Sequence, residues 1–221
     1  MKVVGVDGWP KGWVTVTLDD GRFVAADVFA NLAQILALED VSVFGVDIPI
    51  GLPAAGHRQA DIAAKRILGS RASSVFFAPP RAVLRAGSYQ EANELSKEKF
   101  GAGISAQSYA LRNKILEADA LAAAGDRLFE VHPEVTFWSL AGEPLPSKKT
   151  WDGMWRRRRL LADEGLLLPE DLGPAGVVPV DDLLDAAAAS ISAFRIATGR
   201  GTSLPDTPEP DGAGRPMAIW Y

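Results

Sequence analysis

Val3-Val4-Gly5-Val6-Asp7-Gly8 returns further along the chain as Val43-Phe44-Gly45-Val46-Asp47-Ile48-Pro49. Each is an apolar run of mostly β-branched residues that ends in one aspartate. Continuous apolar runs of this kind read as strands buried on both faces, as in the centre of a parallel sheet. Open α/β sheets bind their ligands beyond the carboxyl ends of such strands. Asp7 and Asp47 therefore stand where a ligand would sit, and two such tips side by side make an acidic pocket suited to a divalent metal.

Whether the tips are neighbours depends on the segments between them. Gly12-Trp13-Val14-Thr15-Val16-Thr17-Leu18 alternates as a half-exposed strand does, and Asp19-Asp20-Gly21 supplies a tight turn. Arg22–Phe29 reads as the returning strand. Asn31 can cap a helix carrying Leu32, Ile35, Leu36 and Leu38, before the second apolar strand starts near Val41. The order strand, strand, strand, helix, strand predicts an antiparallel meander. A right-handed helical crossover then lays the fourth strand parallel to the first. Leu128-Phe129-Glu130-Val131 is a fifth strand, stopped by Pro133. The fold class is thus α/β, a five-stranded mixed sheet flanked by helices.

Residues from about 56 to 125 read as a mostly helical insert, with one helix around Ala60–Leu68 and another capped by Ser105. A basic helix covers Trp151–Leu161, and a last helix starts at Asp181 or Asp182 and stops at Gly199. Residues 199–221 read as an irregular tail rich in Gly and Pro, with Met217–Tyr221 apolar enough to dock as a final strand or plug. With 221 residues the expectation is a single domain. Cysteine is absent, which excludes disulfides and thiolate metal sites and makes the cytoplasm the expected compartment. The apolar run after Lys2 is too short for a signal peptide, and no stretch approaches a membrane span. A net charge of −5 argues against wholesale coating of nucleic acid.

Asp182-Leu183-Leu184-Asp185 is a third acidic feature. Residues three apart share a helix face, so both carboxylates can enter one site. The alternative is a helix start, where Asp satisfies orphan N–H groups and the dipole, and this explains Asp182 better than Asp185. Asp7 and Asp47 can likewise be turn aspartates closing strands. As neighbours, however, two ionised carboxylates repel unless a cation or a proton intervenes. Oxygen ligands without cysteine favour Mg²⁺ or Mn²⁺. In His132-Pro133-Glu134, Pro133 starts a helix with Glu134 in its first turn.

With these residues in place the chain resembles the RNase H-like superfamily, and Asp182-x-x-Asp185-Ala186 looks like the last helix of RuvC-type resolvases. GVDGWPKGW, GVDIPIGLP, SRASSVFFAPPR, ISAQSYALRNKILEAD, FEVHPEVTF and VDDLLDAAAA together resemble an uncharacterised bacterial and archaeal family described as predicted RNase H-fold nucleases. That resemblance runs from Gly5 to Ala189. It implies a metal-dependent phosphodiester hydrolase in which Asp7 bridges two Mg²⁺ or Mn²⁺ ions, Asp47 holds one, and Asp182 with Asp185 completes the other. Glu130 is a further metal ligand, a residue that orients a ligand through a hydrogen bond, or a surface strand residue.

Substrate contacts follow as expectations. Arg71, Ser73, Ser74 and Arg81 offer short donors that suit a phosphate, although a serine-rich loop needs no ligand. Lys148, Lys149 and Arg156, with Trp151 and Trp155, form a basic-aromatic patch that suits nucleic acid or a nucleotide phosphate. Four consecutive arginines cannot share one helix face, so part of the run is solvated. Two other readings stay open. One is a catalytically degenerate RNase H-like module that binds nucleic acid or protein. The other is an actin-like or sugar-kinase-related ATP-binding domain, whose first strand also ends in Gly-x-Asp-Gly.

Overall fold

The alternation of Val, Thr and aromatic residues over the first thirty positions produces β1 (Lys2–Trp9), β2 (Gly12–Asp19) and β3 (Arg22–Phe29) in the computed structural model, which describes residues 1–123 and 125–221. Helix α1 (Leu32–Leu36) follows, its first turn capped by Asn31, whose side chain accepts the Gln34 N–H at 3.0 Å. β4 (Val41–Val46) then runs parallel to β1, with Val6 opposite Val46 and the Asp47 N–H donating to the Val6 carbonyl at 2.9 Å. β5 (Leu128–Glu130) adds a second parallel pairing, with Glu130 opposite Val46. The sheet order is β3-β2-β1-β4-β5, antiparallel through the meander and parallel beyond it. The mixed sheet expected from the sequence is therefore present.

By contacts the chain divides into two compact units. The first comprises Met1–Ile48, Gly125–Thr202 and Trp220–Tyr221; the second comprises residues 49–123 and Ser203–Ile219. In the second unit lie α2 (Gln59–Leu68), α3 (Arg81–Leu84), α4 (Tyr89–Phe100), α5 (Ala106–Ala110) and α6 (Arg112–Ala122). The helix foreseen after Ser105 is broken at Leu111 into α5 and α6, with the Ser105 cap intact. The final strand foreseen at the end of the tail is present, and the part before it is less irregular than its Gly and Pro content suggested. β6 (Ser203–Pro210) and β7 (Pro216–Trp220) form a two-stranded ribbon. Every strand of such a ribbon is an edge, where proline is tolerated. Asp211 closes its turn by accepting the N–H groups of Ala213 and Arg215 at 2.8 and 3.0 Å.

The first unit holds α7 (Pro133–Ala141), α8 (Trp151–Asp163) and α9 (Val180–Ala197). A surface helix keeps one polar side, but α9 is buried from Leu183 through Ala193 on all sides. It packs over β1, β2 and β4, and its four-alanine run Ala186–Ala189 lets it sit very close. Closest of all is the approach at Gly5 and Gly45, which face each other across β1 and β4. A Cβ on Gly5 would lie 2.1 Å from the Ser190 backbone nitrogen and 2.2 Å from the Ala186 carbonyl oxygen. One on Gly45 would lie 2.8 Å from the Ala189 carbonyl oxygen. No helix among the described residues is long and apolar enough to cross a membrane.

Gly5→Ala must push the α9 backbone off the sheet, because no flexible side chain is there to yield. Overpacking of this severity is expected to cost at least about 3 kcal/mol, read as a fall of roughly 6 °C or more in Tm for a chain of this size. A melt of Gly5→Ala indistinguishable from wild type would contradict the close docking.

Candidate metal centre

Side chains two residues apart on a strand share a face. Gly5 and Gly45 face α9, so Asp7 and Asp47 project toward the same helix one step further along. There α9 presents its first turns, which carry Asp182 and Asp185. Asp7 is buried at 6% exposure and Asp185 at 4%, while Asp47 and Asp182 are half-buried. The four aspartates named from the sequence therefore gather at one end of the sheet.

Their charges are felt mutually. Burial first, then the carboxylates of Asp47 and Asp185, hold Asp7 well above the usual carboxylate range. Asp47 is pushed up to about 7 by burial, with Lys148 pulling it down and Glu134 and Asp182 pushing it up. Asp185 also reaches about 7 through burial; Lys148 opposes the rise, and Asp47 and Glu134 add to it. Asp182 is raised by burial and by Asp181, against the pull of Lys148 and Lys149. Asp7 keeps one conventional partner, accepting the Gly8 N–H on Oδ1 at 2.7 Å.

Lys148 lies at the centre of this field. Its ammonium donates to Oδ2 of Asp185, while Oδ1 of Asp185 is buried without a hydrogen-bond partner. Burial works against the lysine charge, but the Asp185 carboxylate outweighs it and holds the ammonium above the ordinary lysine range. Lys148 faces more carboxylates than one ammonium can neutralise, so it stays charged while they share the remaining protons. The sequence placed Lys148 among substrate contacts; the structure places it inside the acidic cluster.

Glu130 does not join that cluster. It is buried, but its register partner is Val46, one residue out of phase with Gly45 and Asp47, so it projects from the opposite face of the sheet. The acid that reaches Asp47 and Asp185 electrostatically is Glu134, in the first turn of α7. Glu134 is clamped by the buried Arg157 of α8 through two charge-assisted hydrogen bonds, 2.8 and 2.7 Å long. Arg157 shares its inward stripe with Gly153 and Leu161 at four-residue spacing, and that periodicity is the signal which separates it from the solvated arginines.

The remaining predicted contacts fall in different settings. Lys149 is exposed and borders an open hollow of about 480 Å³ with Lys148, Trp151, Met154, Val180 and Asp181. Arg156 pairs with Glu143 at 2.7 Å. Trp151, 74% exposed, meets Trp155 edge-on with ring centroids 5.4 Å apart. Arg71, Ser73, Ser74 and Arg81 belong to the second unit. Ser74 donates to the Arg71 carbonyl at 2.8 Å, and Arg81 donates to both oxygens of Asp119 at 2.8 and 2.9 Å. Arg215 joins Asp119 and Asp211 to the same charge network. That network accounts for the Arg81 guanidinium without a phosphate.

For a divalent ion the donor set fits by chemistry, since it is all carboxylate oxygen and contains a buried carboxylate oxygen with no partner. As the side chains stand, no three acidic or histidine groups among the described residues converge closely enough to cage an ion. The ammonium of Lys148 supplies the neutralising charge instead.

A family model described as "Protein of unknown function (DUF429)" matches residues 5–210, and the chain belongs to that family. Comparison with curated proteins and with solved structures returned no match.

Without divalent metal, the folded protein near neutrality holds protons on Asp7, Asp47 and Asp185 that the unfolded chain has released. Stability therefore falls as pH rises from about 4, the unfolded carboxylate value, through about 7 for Asp47 and Asp185. Asp7→Asn keeps the oxygen that accepts the Gly8 N–H and removes one charge. It should flatten that decline and raise Tm at pH 8 by at least about 2–4 °C. Thermal melts from pH 4 to 8 in a chelator check this, and an unchanged slope would contradict the shared-proton cluster.

Proposed function

We propose that the chain is a divalent-metal-dependent phosphodiester hydrolase on an RNase H-like fold, acting on nucleic acid. What carries the reading is the placement of Asp7, Asp47, Asp182 and Asp185. A meander followed by a parallel strand, with a late helix laid across β1 and β4, brings four carboxylates to one end of the sheet. Among them Asp185 retains a buried oxygen without a partner. A burial cost of this size is hard to account for by stability alone, since buried like charges destabilise.

In this reading Asp7, Asp47 and Asp185 would hold Mg²⁺ or Mn²⁺, with Asp182 completing the shell. The bound metal supplies a lowered pKa for water and Lewis-acid polarisation of the phosphoryl oxygen. The chain's own groups prepare the ground for it. Asp47 and Asp185, with pKa values of about 7, give up their protons readily when a cation takes their place. The Arg157–Glu134 clamp fixes one wall of the site. Lys149 and the exposed Trp151 line the adjoining hollow with an ammonium and an indole ring, suiting a phosphate and an unpaired base.

The Lys148–Asp185 ion pair favours a second reading, a module that binds nucleic acid and cuts nothing, because it partly neutralises the site without metal. The two separate in a cleavage assay on labelled single-stranded DNA, RNA and a branched junction in Mn²⁺. A hydrolase cuts at least one, and Asp7→Asn lowers the rate on the order of 10²-fold or more. Binding that is salt-sensitive and insensitive to Asp7→Asn, with no metal-dependent cut in any substrate, selects the binding module.

A further inference from the structure

Taking the metal-dependent reading as its ground, we infer that Lys148 permanently fills one cation position, so that the centre accepts a single divalent ion rather than two. Lys148 is not a flexible surface lysine that happens to fall against an acid. The loop that carries it is fixed from both sides. The buried Arg157 donates to the Pro146 carbonyl at 2.8 Å and to the Gly153 carbonyl at 2.9 Å, while its other nitrogen grips Glu134.

On the far side of the lysine, Thr150 donates from its hydroxyl to the Ser147 carbonyl at 2.8 Å and from its backbone at 3.0 Å. The same hydroxyl oxygen accepts the Gly153 N–H at 3.1 Å and caps α8. Gly153 is needed for this folding-back, since a Cβ there would lie 2.0 Å from the Ser147 carbonyl oxygen. A buried arginine, a helix cap and a glycine thus converge on a five-residue loop whose middle residue is Lys148.

The ammonium delivered by that loop takes one oxygen of Asp185 and leaves the other buried and unpartnered. A carboxylate has only two oxygens to offer to cations. Here one is committed to a cation built into the chain, and one remains. The field of Lys148 also reaches Asp7, Asp47 and Asp182, so a second divalent ion would have to sit beside a fixed positive charge in the same carboxylate shell. A charge that is part of the polypeptide cannot leave, whereas a second ion can fail to enter. Repulsion at this range therefore falls on the incoming metal.

The test counts ions directly, by calorimetric titration with Mn²⁺ and by the electron paramagnetic resonance signal of free Mn²⁺. Wild type is expected to bind one Mn²⁺ per chain. Lys148→Met should bind two, or bind the first at least tenfold more tightly, whereas Lys148→Arg should stay at one with affinity unchanged within about threefold. Two ions in wild type would overturn the inference while leaving the metal-dependent reading intact. So would a Lys148→Met protein that folds, as its melt shows, and binds as wild type does. No Mn²⁺ bound to wild type would overturn both. The wild-type count remains decisive if Lys148→Met fails to fold, because two bound ions leave no position for the lysine to occupy.

Discussion

The backbone of α9 rests in a gap that two glycines leave in the sheet, and the rest of the first unit is arranged around that contact. Gly5 and Gly45 are register partners on β1 and β4, and both lack the atom that would strike the helix. Because the helix can come so close, the aspartates two residues further on meet its first turns instead of solvent. The repeated Gly-Val-Asp thus has a mechanical meaning: the glycine admits the helix and the aspartate meets what the helix carries. The Ala186–Ala189 run answers the same requirement from the other side, with four small residues where Leu or Ile would hold the helix away.

Close docking has an electrostatic consequence. Four carboxylates, two buried and two half-buried, are brought together, and charge that solvent would have screened must be met by protons, by a cation or by the protein itself. The structure uses the third means in part. Lys148 reaches in on a loop held by Arg157 and Thr150, and Arg157 neutralises Glu134. The negative charge that these two cations leave over is shared among Asp7, Asp47 and Asp185, and burial raises the proton affinity of all three. Such a cluster costs stability, and a site that costs stability and keeps an open oxygen is a candidate for function.

Much of this was legible in local patterns. The meander and both parallel strands follow from alternation, apolar runs and turn residues, and the Asp182–Asp185 pair from helical spacing. Asp7 and Asp47 became neighbours once the strand order was drawn. What stayed hidden depends on contacts distant in sequence. Glu134 looked fully explained by its place behind Pro133 in a first helical turn, and its partner Arg157 lies on another helix. Lys148 looked like part of a basic surface because nothing nearby in sequence shows that its loop folds toward Asp185. Glu130 misled in the opposite way: its strand was correctly placed, but a shift of one residue in register sends a side chain to the other face. In the terminal ribbon β7 was legible as a last apolar segment, whereas β6 was obscured by prolines that would break a central strand and are harmless at an edge.

The shared-proton cluster and its affinity for a cation meet in one experiment, a carbon-detected NMR titration of the aspartate side-chain carboxyls with and without Mg²⁺. In chelator, Asp47 and Asp185 should titrate near 7 and Asp7 well above the ordinary carboxylate range. Saturating Mg²⁺ should bring all three midpoints down to about 4 or below. Midpoints near 4 in chelator that Mg²⁺ does not move would mean that these carboxylates are neither crowded nor waiting for a metal.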